Sequence, residues 1–116
     1  MIGIDLVEID RLERALERYP RLAERLFTEA ERSYAAKHRR PARPLAARFA
    51  AKEAAIKALG MRAAVLREIE VVAGKPPTLA LSGRALEAAR SQAVDLAVSL
   101  SHERGHAVAV VLATAR

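Results

Sequence analysis

The chain contains no cysteine, which excludes a disulfide framework, a thiolate metal site and a cysteine nucleophile together. Any metal ion has to be held by oxygen or imidazole. Tryptophan and asparagine are also absent, and the aromatics amount to 2 Tyr and 2 Phe. The core must therefore be aliphatic, and the stacking platform that grips single-stranded nucleic acid is missing. No run approaches the about 18 consecutive apolar residues of a membrane-spanning helix. Met1-Ile2-Gly3-Ile4-Asp5 is not a basic region leading into a long apolar stretch. We expect a cytoplasmic protein with no membrane partner.

What is present fits a single domain spanning residues 1–116, since 116 residues support one core and leave no room for a linker and a second unit. The 20 Lys and Arg exceed the 14 Asp and Glu, giving a net charge of +6 that favours encounters with anionic partners. Arg11, Arg14, Arg18, Arg21 and Arg25 follow one another along an early segment, and Lys37, Arg39, Arg40, Arg43 and Arg48 come next with no acid among them.

Ile2–Val7 is short, apolar and β-branched, which predicts a buried first strand carrying one carboxylate, Asp5. Asp10 and Glu13 have capping-box spacing, with Ile9, Leu12 and Leu16 at helical intervals up to Tyr19-Pro20. Arg21 to Phe27 predicts a further turn or two. Thr28 and Glu31 repeat the capping box ahead of a helix to about His38, and residues 39–44, with two prolines, are expected to form a basic loop. Leu45–Leu59 lacks Gly and Pro, is dense in Ala and is followed by Gly60 as a C-terminal cap. Residues 68–72 and 78–81 predict a hairpin around Gly74-Lys75-Pro76-Pro77, residues 84–92 a helix, and residues 95–101 and 107–113 a second hairpin. The order predicts an α+β fold, a largely antiparallel sheet with helices packed on one face.

Asp5 in an apolar strand calls for a cation, a metal or strong donors, because an unpaired buried carboxylate is costly. Glu53 and Lys57 lie one turn apart on the Ala-dense helix, spacing that equally suits a surface ion pair. Ser99-Leu100-Ser101-His102-Glu103 sets two hydroxyls and an imidazole at a strand end. His38 and His106 have no flanking ligands at metal-binding spacing and read as structural.

Four blocks, in order, carry a resemblance: Gly3-Ile4-Asp5-Leu6-Val7-Glu8; Arg48-Phe49-Ala50-Ala51-Lys52-Glu53-Ala54 with Lys57-Ala58; Gly74-Lys75-Pro76; and Ser99-Leu100-Ser101-His102-Glu103 with Ala107-Val108-Ala109. Together they resemble the signature blocks of the bacterial holo-acyl-carrier-protein synthases, the short trimeric type of the 4′-phosphopantetheinyl transferase family, over nearly the whole chain. The resemblance implies transfer of phosphopantetheine from coenzyme A to a serine of an apo acyl carrier protein, in support of fatty acid biosynthesis. It implies Mg²⁺ held by Asp5 and Glu53, with Glu53 and Lys57 catalytic and Lys57 stabilising charge on the departing phosphate. Glu53 and a water on the metal both stand as the base for the serine hydroxyl. Arg48, Lys57, Gly60, Lys75, Pro76 and His102 match positions around coenzyme A. Arg11, Arg21 and Arg25, with Arg14 as a neighbour, match the surface that docks the acidic carrier protein, and the family forms homotrimers.

Two departures accompany the match. The family's Gly-Thr-Gly after the long helix is replaced by Gly60-Met61-Arg62, and the stretch to Ile69 is short, leaving Arg62 to supply donors. A non-catalytic RNA-binding module would account for the arginines, but it gives no reason for Asp5 and lacks the aromatics. We expect no nucleic-acid partner.

Overall fold

Helix α4, Ala42–Ala58, is the element against which β1, β5 and most of the other elements pack. In the computed structural model, which describes residues 1–62 and 65–116, the elements before it are β1 (Ile2–Glu8), α1 (Ile9–Arg18), α2 (Leu22–Leu26) and α3 (Glu29–Ala36). After it come a 3-10 turn (Leu66–Glu68), β2 (Ile69–Val72), β3 (Thr78–Leu81), α5 (Gly83–Gln92), β4 (Val94–Glu103) and β5 (His106–Ala115). Most of helix α4 is covered, with β1, β4 and β5 packed on it from one side and α1, α3 and β2 from others, while Glu53 stays partly open and Lys57 exposed. Its alanines make that possible, because a helix lined with methyl groups lets neighbouring backbones approach closely. Ala50, Ala51, Ala54, Ala55 and Ala58 are all fully buried.

The main sheet runs β1-β5-β4, all antiparallel, and β2-β3 form a separate antiparallel pair. This is the α+β fold that the pattern predicts, with helices on one sheet face. One expectation fails, because β1 is not buried on both sides. Gly3, Asp5 and Val7 turn inward, while Ile2, Ile4 and Leu6 are 66%, 59% and 64% exposed. An apolar run cannot distinguish a strand covered on both faces from one whose outer apolar face stands open. Register puts Ile2, Ile4 and Leu6 opposite Leu112, Val110 and Val108, so the open face extends across β5.

Two further readings are corrected. Asp10 does not cap α1; Glu8 occupies that position without a side-chain bond, since β1 runs into the helix with no loop between. Asp10 and Glu13 instead receive Arg40, whose Nη2 donates to Asp10 Oδ1 at 2.5 Å and to Glu13 Oε1 at 3.0 Å. This bridge ties α1 to the start of α4. The basic loop is shorter than residues 39–44: Pro41 stands at the N-cap and Pro44 in the first turn of α4, where a missing N–H has no intrahelical partner to lose. The capping box at Thr28 and Glu31 forms with both limbs, and Gly60 follows α4 at φ +67°, a conformation glycine adopts without strain.

Glu31 does more than cap. Its carboxylate pairs with Lys52 Nζ at 2.6 Å, and both side chains are completely buried. Lys52 also donates to the carbonyls of Leu66 and Ile69 at 2.7 Å each, and Glu31 Oε2 accepts from Val71 N at 2.8 Å. Burial pushes the Lys52 ammonium below its ordinary pKa, and the Glu31 charge pulls it back up. The pair fastens α3, α4 and β2 at one point.

Three outcomes follow from this packing. A Cβ on Gly3 would overlap the Ala54 carbonyl oxygen and come within 2.9 Å of the Ala58 nitrogen, helix backbone that cannot swing aside. Gly3→Ala should therefore lose about 3 kcal/mol in urea unfolding. Lys52→Met strands a buried carboxylate and should cost about 3–5 kcal/mol in the same assay. Arg40 holds Glu13 below the ordinary carboxylate pKa, so this contribution is present above the unfolded value and disappears as pH falls through the folded one. The difference in melting temperature between wild type and Glu13→Gln should accordingly shrink as pH is lowered from about 6 to about 3.

Candidate active site

The close approach of β1 to α4 brings three charged side chains together. Asp5, on the inner face of β1, is 20% exposed. Lys57, in the last turn of α4, sets its Nζ 3.0 Å from Asp5 Oδ1 and 3.0 Å from the Ile4 carbonyl oxygen. Glu53, one turn earlier and half-buried, has its pKa raised by burial and by the Asp5 charge, while Lys57 acts in the opposite direction. The i, i+4 surface pair that spacing alone allowed is not what forms, because Lys57 bonds across to the strand.

Two carboxylates that feel each other's charge are a donor set for a hard cation. Among the described residues there is no group of three or more His, Asp or Glu side chains arranged around a common metal position. A two-carboxylate site suits Mg²⁺, which keeps waters and takes further oxygens from a phosphate, better than an ion caged wholly by protein. The residues therefore fit the Mg²⁺ expected from the sequence.

Asp5 also opens onto a groove of about 600 Å³ lined by Glu8, Arg11, Leu12, Leu22, Leu26 and Phe49 among others. Leu22 is shared with a neighbouring hollow of about 570 Å³ that includes Tyr19, Arg21 and Arg25. Of the four arginines matched to carrier docking, Arg11 thus lines the Asp5 groove, and Arg21 and Arg25 line the hollow that shares Leu22 with it. Arg14 is exposed and lies 3.8 Å from Glu8.

Arg48 and His102 meet in a smaller cavity of about 210 Å³, together with Tyr34, His38, Arg43 and Ser101. Arg48 is 5% exposed; its guanidinium lies 4.1 Å from the centre of the Tyr34 ring and donates to the Pro44 carbonyl at 3.3 Å. Its Nε is buried and has no partner among the described residues. Lys75 and Pro76, in the β2–β3 turn, are exposed and line neither the Asp5 groove nor the Arg48 cavity. Gly60 closes α4 one turn beyond Ile56. The short segment after it, noted in the sequence as a departure, includes residues 63 and 64, which lie outside the described residues.

Sequence reasoning missed several participants. Tyr34 reaches Arg48 from another helix, a contact with no local signature. His38 and His106, read as purely structural, border the Arg48 cavity and the Asp5 groove respectively. Gly3 did carry a signal, since a glycine inside a strand marks a close backbone approach.

Comparison with known proteins agrees with this architecture. Residues 1–111 match the family model described as the 4′-phosphopantetheinyl transferase superfamily. The chain is 47% identical over 115 residues to a holo-[acyl-carrier-protein] synthase of Moorella thermoacetica, covering 95% of this chain and 90% of that protein. It is 48% identical over 116 residues to the holo-[acyl-carrier-protein] synthase of Streptomyces coelicolor, covering 97% and 94%. Among solved structures it is similar to the Helicobacter pylori holo-[acyl-carrier-protein] synthase in complex with coenzyme A, with a TM-score of 0.82 at 30% identity over 98% of this chain and all of that one. The Chronobacterium ammoniagenes synthase–coenzyme A complex gives 0.88 at 31% identity over 100% of this chain and 97% of that one. With a match running almost from end to end and relatives near half identical, the chain belongs to the 4′-phosphopantetheinyl transferase superfamily.

Proposed function

We propose that this protein is a holo-acyl-carrier-protein synthase, which moves 4′-phosphopantetheine from coenzyme A to a serine hydroxyl of apo acyl carrier protein. The observation that carries the reading is the meeting of Asp5, Glu53 and Lys57 across β1 and α4, in a chain whose similarity to synthases of that name is nearly full length. In the reaction the serine Oγ forms a bond to the phosphorus bearing the pantetheine arm. The bond from that phosphorus to the bridging pyrophosphate oxygen breaks, and adenosine 3′,5′-bisphosphate leaves. The serine proton is lost as this happens.

Each role has a residue suited to it. Asp5 and Glu53 would hold Mg²⁺, which when bound neutralises the pyrophosphate and stabilises the leaving oxygen. Lys57 supplies a fixed positive charge to the departing phosphate. Arg48 and His102 offer donors to the phosphates of coenzyme A, and the buried unpartnered Nε of Arg48 supports that assignment. Gly60 and the exposed Lys75-Pro76 turn are assigned to coenzyme A on the family resemblance, and Glu53 or a water on the metal would accept the serine proton.

Arg11, Arg14, Arg21 and Arg25 would dock the acidic carrier protein, three of them beside the groove that leads to Asp5. We read the enzyme as a cytoplasmic homotrimer serving fatty acid biosynthesis. Support for self-association comes from Ile2, Ile4, Leu6 and Leu112, whose exposure makes the outer sheet face an apolar surface in want of a cover.

The test is intact-mass spectrometry of an apo acyl carrier protein incubated with this protein, coenzyme A and Mg²⁺. The carrier should gain one phosphopantetheine, with the gain abolished by EDTA and reduced at least about 100-fold by Asp5→Ala or Glu53→Ala. No gain from folded protein with several carrier proteins would defeat the reading.

A further inference from the structure

Lys57 is held by two acceptors at once, the Asp5 carboxylate and the Ile4 carbonyl, each 3.0 Å from Nζ. Both belong to β1, so the contact is a clasp between the end of α4 and the strand rather than a passing surface pair. Asp5 is the less exposed partner, at 20% against 54% for Lys57, which limits screening of the attraction on the carboxylate side. Across the same gap Glu53 feels the negative charge of Asp5 and the positive charge of Lys57 in opposite senses. The ammonium therefore sits where the repulsion between the two carboxylates is relieved.

We propose that Lys57 is the internal competitor of the divalent cation: its ammonium and the metal ion contend for Asp5, so that metal binding releases Lys57 toward the phosphate. The inference rests on the assignment of Asp5 and Glu53 as metal ligands and adds an order to it. A cation bound to Asp5 places a second positive charge on the carboxylate whose Oδ1 lies 3.0 Å from Nζ, and the repulsion between the two cations favours release of the ammonium. Displaced, Lys57 keeps its charge and four-carbon reach and has one fewer carboxylate to satisfy. A phosphate that attracts Lys57 conversely uncovers Asp5. Linkage then requires the two ligands to favour each other, because each removes the same obstacle to the other. The clasp holds the catalytic ammonium on the strand until a metal ion arrives, and it supplies the charge that lets β1 and α4 pack with two carboxylates between them.

The experiment measures Mn²⁺ binding by electron paramagnetic resonance to EDTA-treated protein at fixed ionic strength, with no coenzyme A present. Wild type, Lys57→Gln, Lys57→Arg and Asp5→Asn are compared, each first checked for a cooperative thermal melt. Lys57→Gln should bind Mn²⁺ roughly three- to ten-fold more tightly than wild type, the range expected for losing a partly exposed competing charge. Lys57→Arg keeps the charge and should stay within about two-fold of wild type. The melt of Lys57→Gln should also rise more on adding Mn²⁺ than that of wild type, since the added ion then relieves a repulsion nothing else relieves. Equal or weaker Mn²⁺ binding by Lys57→Gln overturns the competition while leaving the metal site in place. Mn²⁺ binding unaffected by Asp5→Asn overturns the metal assignment itself, and the competition with it.

Discussion

Strand β1 lies against helix α4 at a separation that a side chain at position 3 would forbid, and the geometry of the site depends on that approach. Gly3 meets the backbone of α4 at Ala54 and Ala58. Two residues further along the strand, on the same inward face, Asp5 arrives opposite the last turns of the helix where Glu53 and Lys57 project. A separation larger by a methyl group would carry the strand carboxylate away from both. The alanines of α4 contribute from the other side, since leucines in their place would fill the space that the strand occupies. Small residues here are functional because they set a distance between charges.

A helix packed on several sides needs anchoring against sliding, and apolar contact between methyl groups gives little directional preference. The buried Lys52–Glu31 pair supplies direction. Its bonds to Leu66, Ile69 and Val71 fix the helix relative to β2, and the Thr28 capping box fixes Glu31 relative to α3. Replacing such a pair with apolar groups of equal volume need not cost stability, whereas removing one partner strands a buried charge. Lys52 precedes Glu53 directly in the chain. The rotation that buries the lysine on one side of α4 turns the glutamate toward β1 on another, so a single helix rotation satisfies the core and the site together.

Much of this was legible in the sequence. The long helix, both hairpins, the Thr28 box and the Gly60 cap follow from local rules, and local rules served well because the bonds concerned close within a few residues. The same reasoning failed at Asp10, where the partner that mattered was Arg40, thirty positions away. It failed on β1 for a different reason: an apolar run does not tell whether one face of the strand or both are covered. At the site, the blocks around Asp5 and Glu53 identified the two carboxylates, but the hold of Lys57 on Asp5 rather than Glu53 is a tertiary fact. Arg48 stands in the sequence within a basic run and as a match to a coenzyme A position, but that Tyr34 covers it and that it is nearly buried are tertiary facts.

The charge distribution follows from the same economy. A chain with a net charge of +6 is an unfavourable host for a divalent cation at long range. Beyond about 8–10 Å, however, salt screens most of that field, so the remote arginines influence encounter more than they influence the site. Close to the site the balance is local: Asp5, Glu53 and Lys57 at the junction, with Glu8 and Arg11 on the groove that Asp5 lines. The excess positive charge can therefore serve recognition of an acidic partner along α1 and α2 without suppressing a cation site at the junction of β1 and α4. Arg11 lines the same groove as Asp5, whereas Arg21 and Arg25 line the neighbouring hollow that shares Leu22 with it. Because β1 turns directly into α1, the chain passes from Asp5 to Arg11 in six residues, and both line one groove.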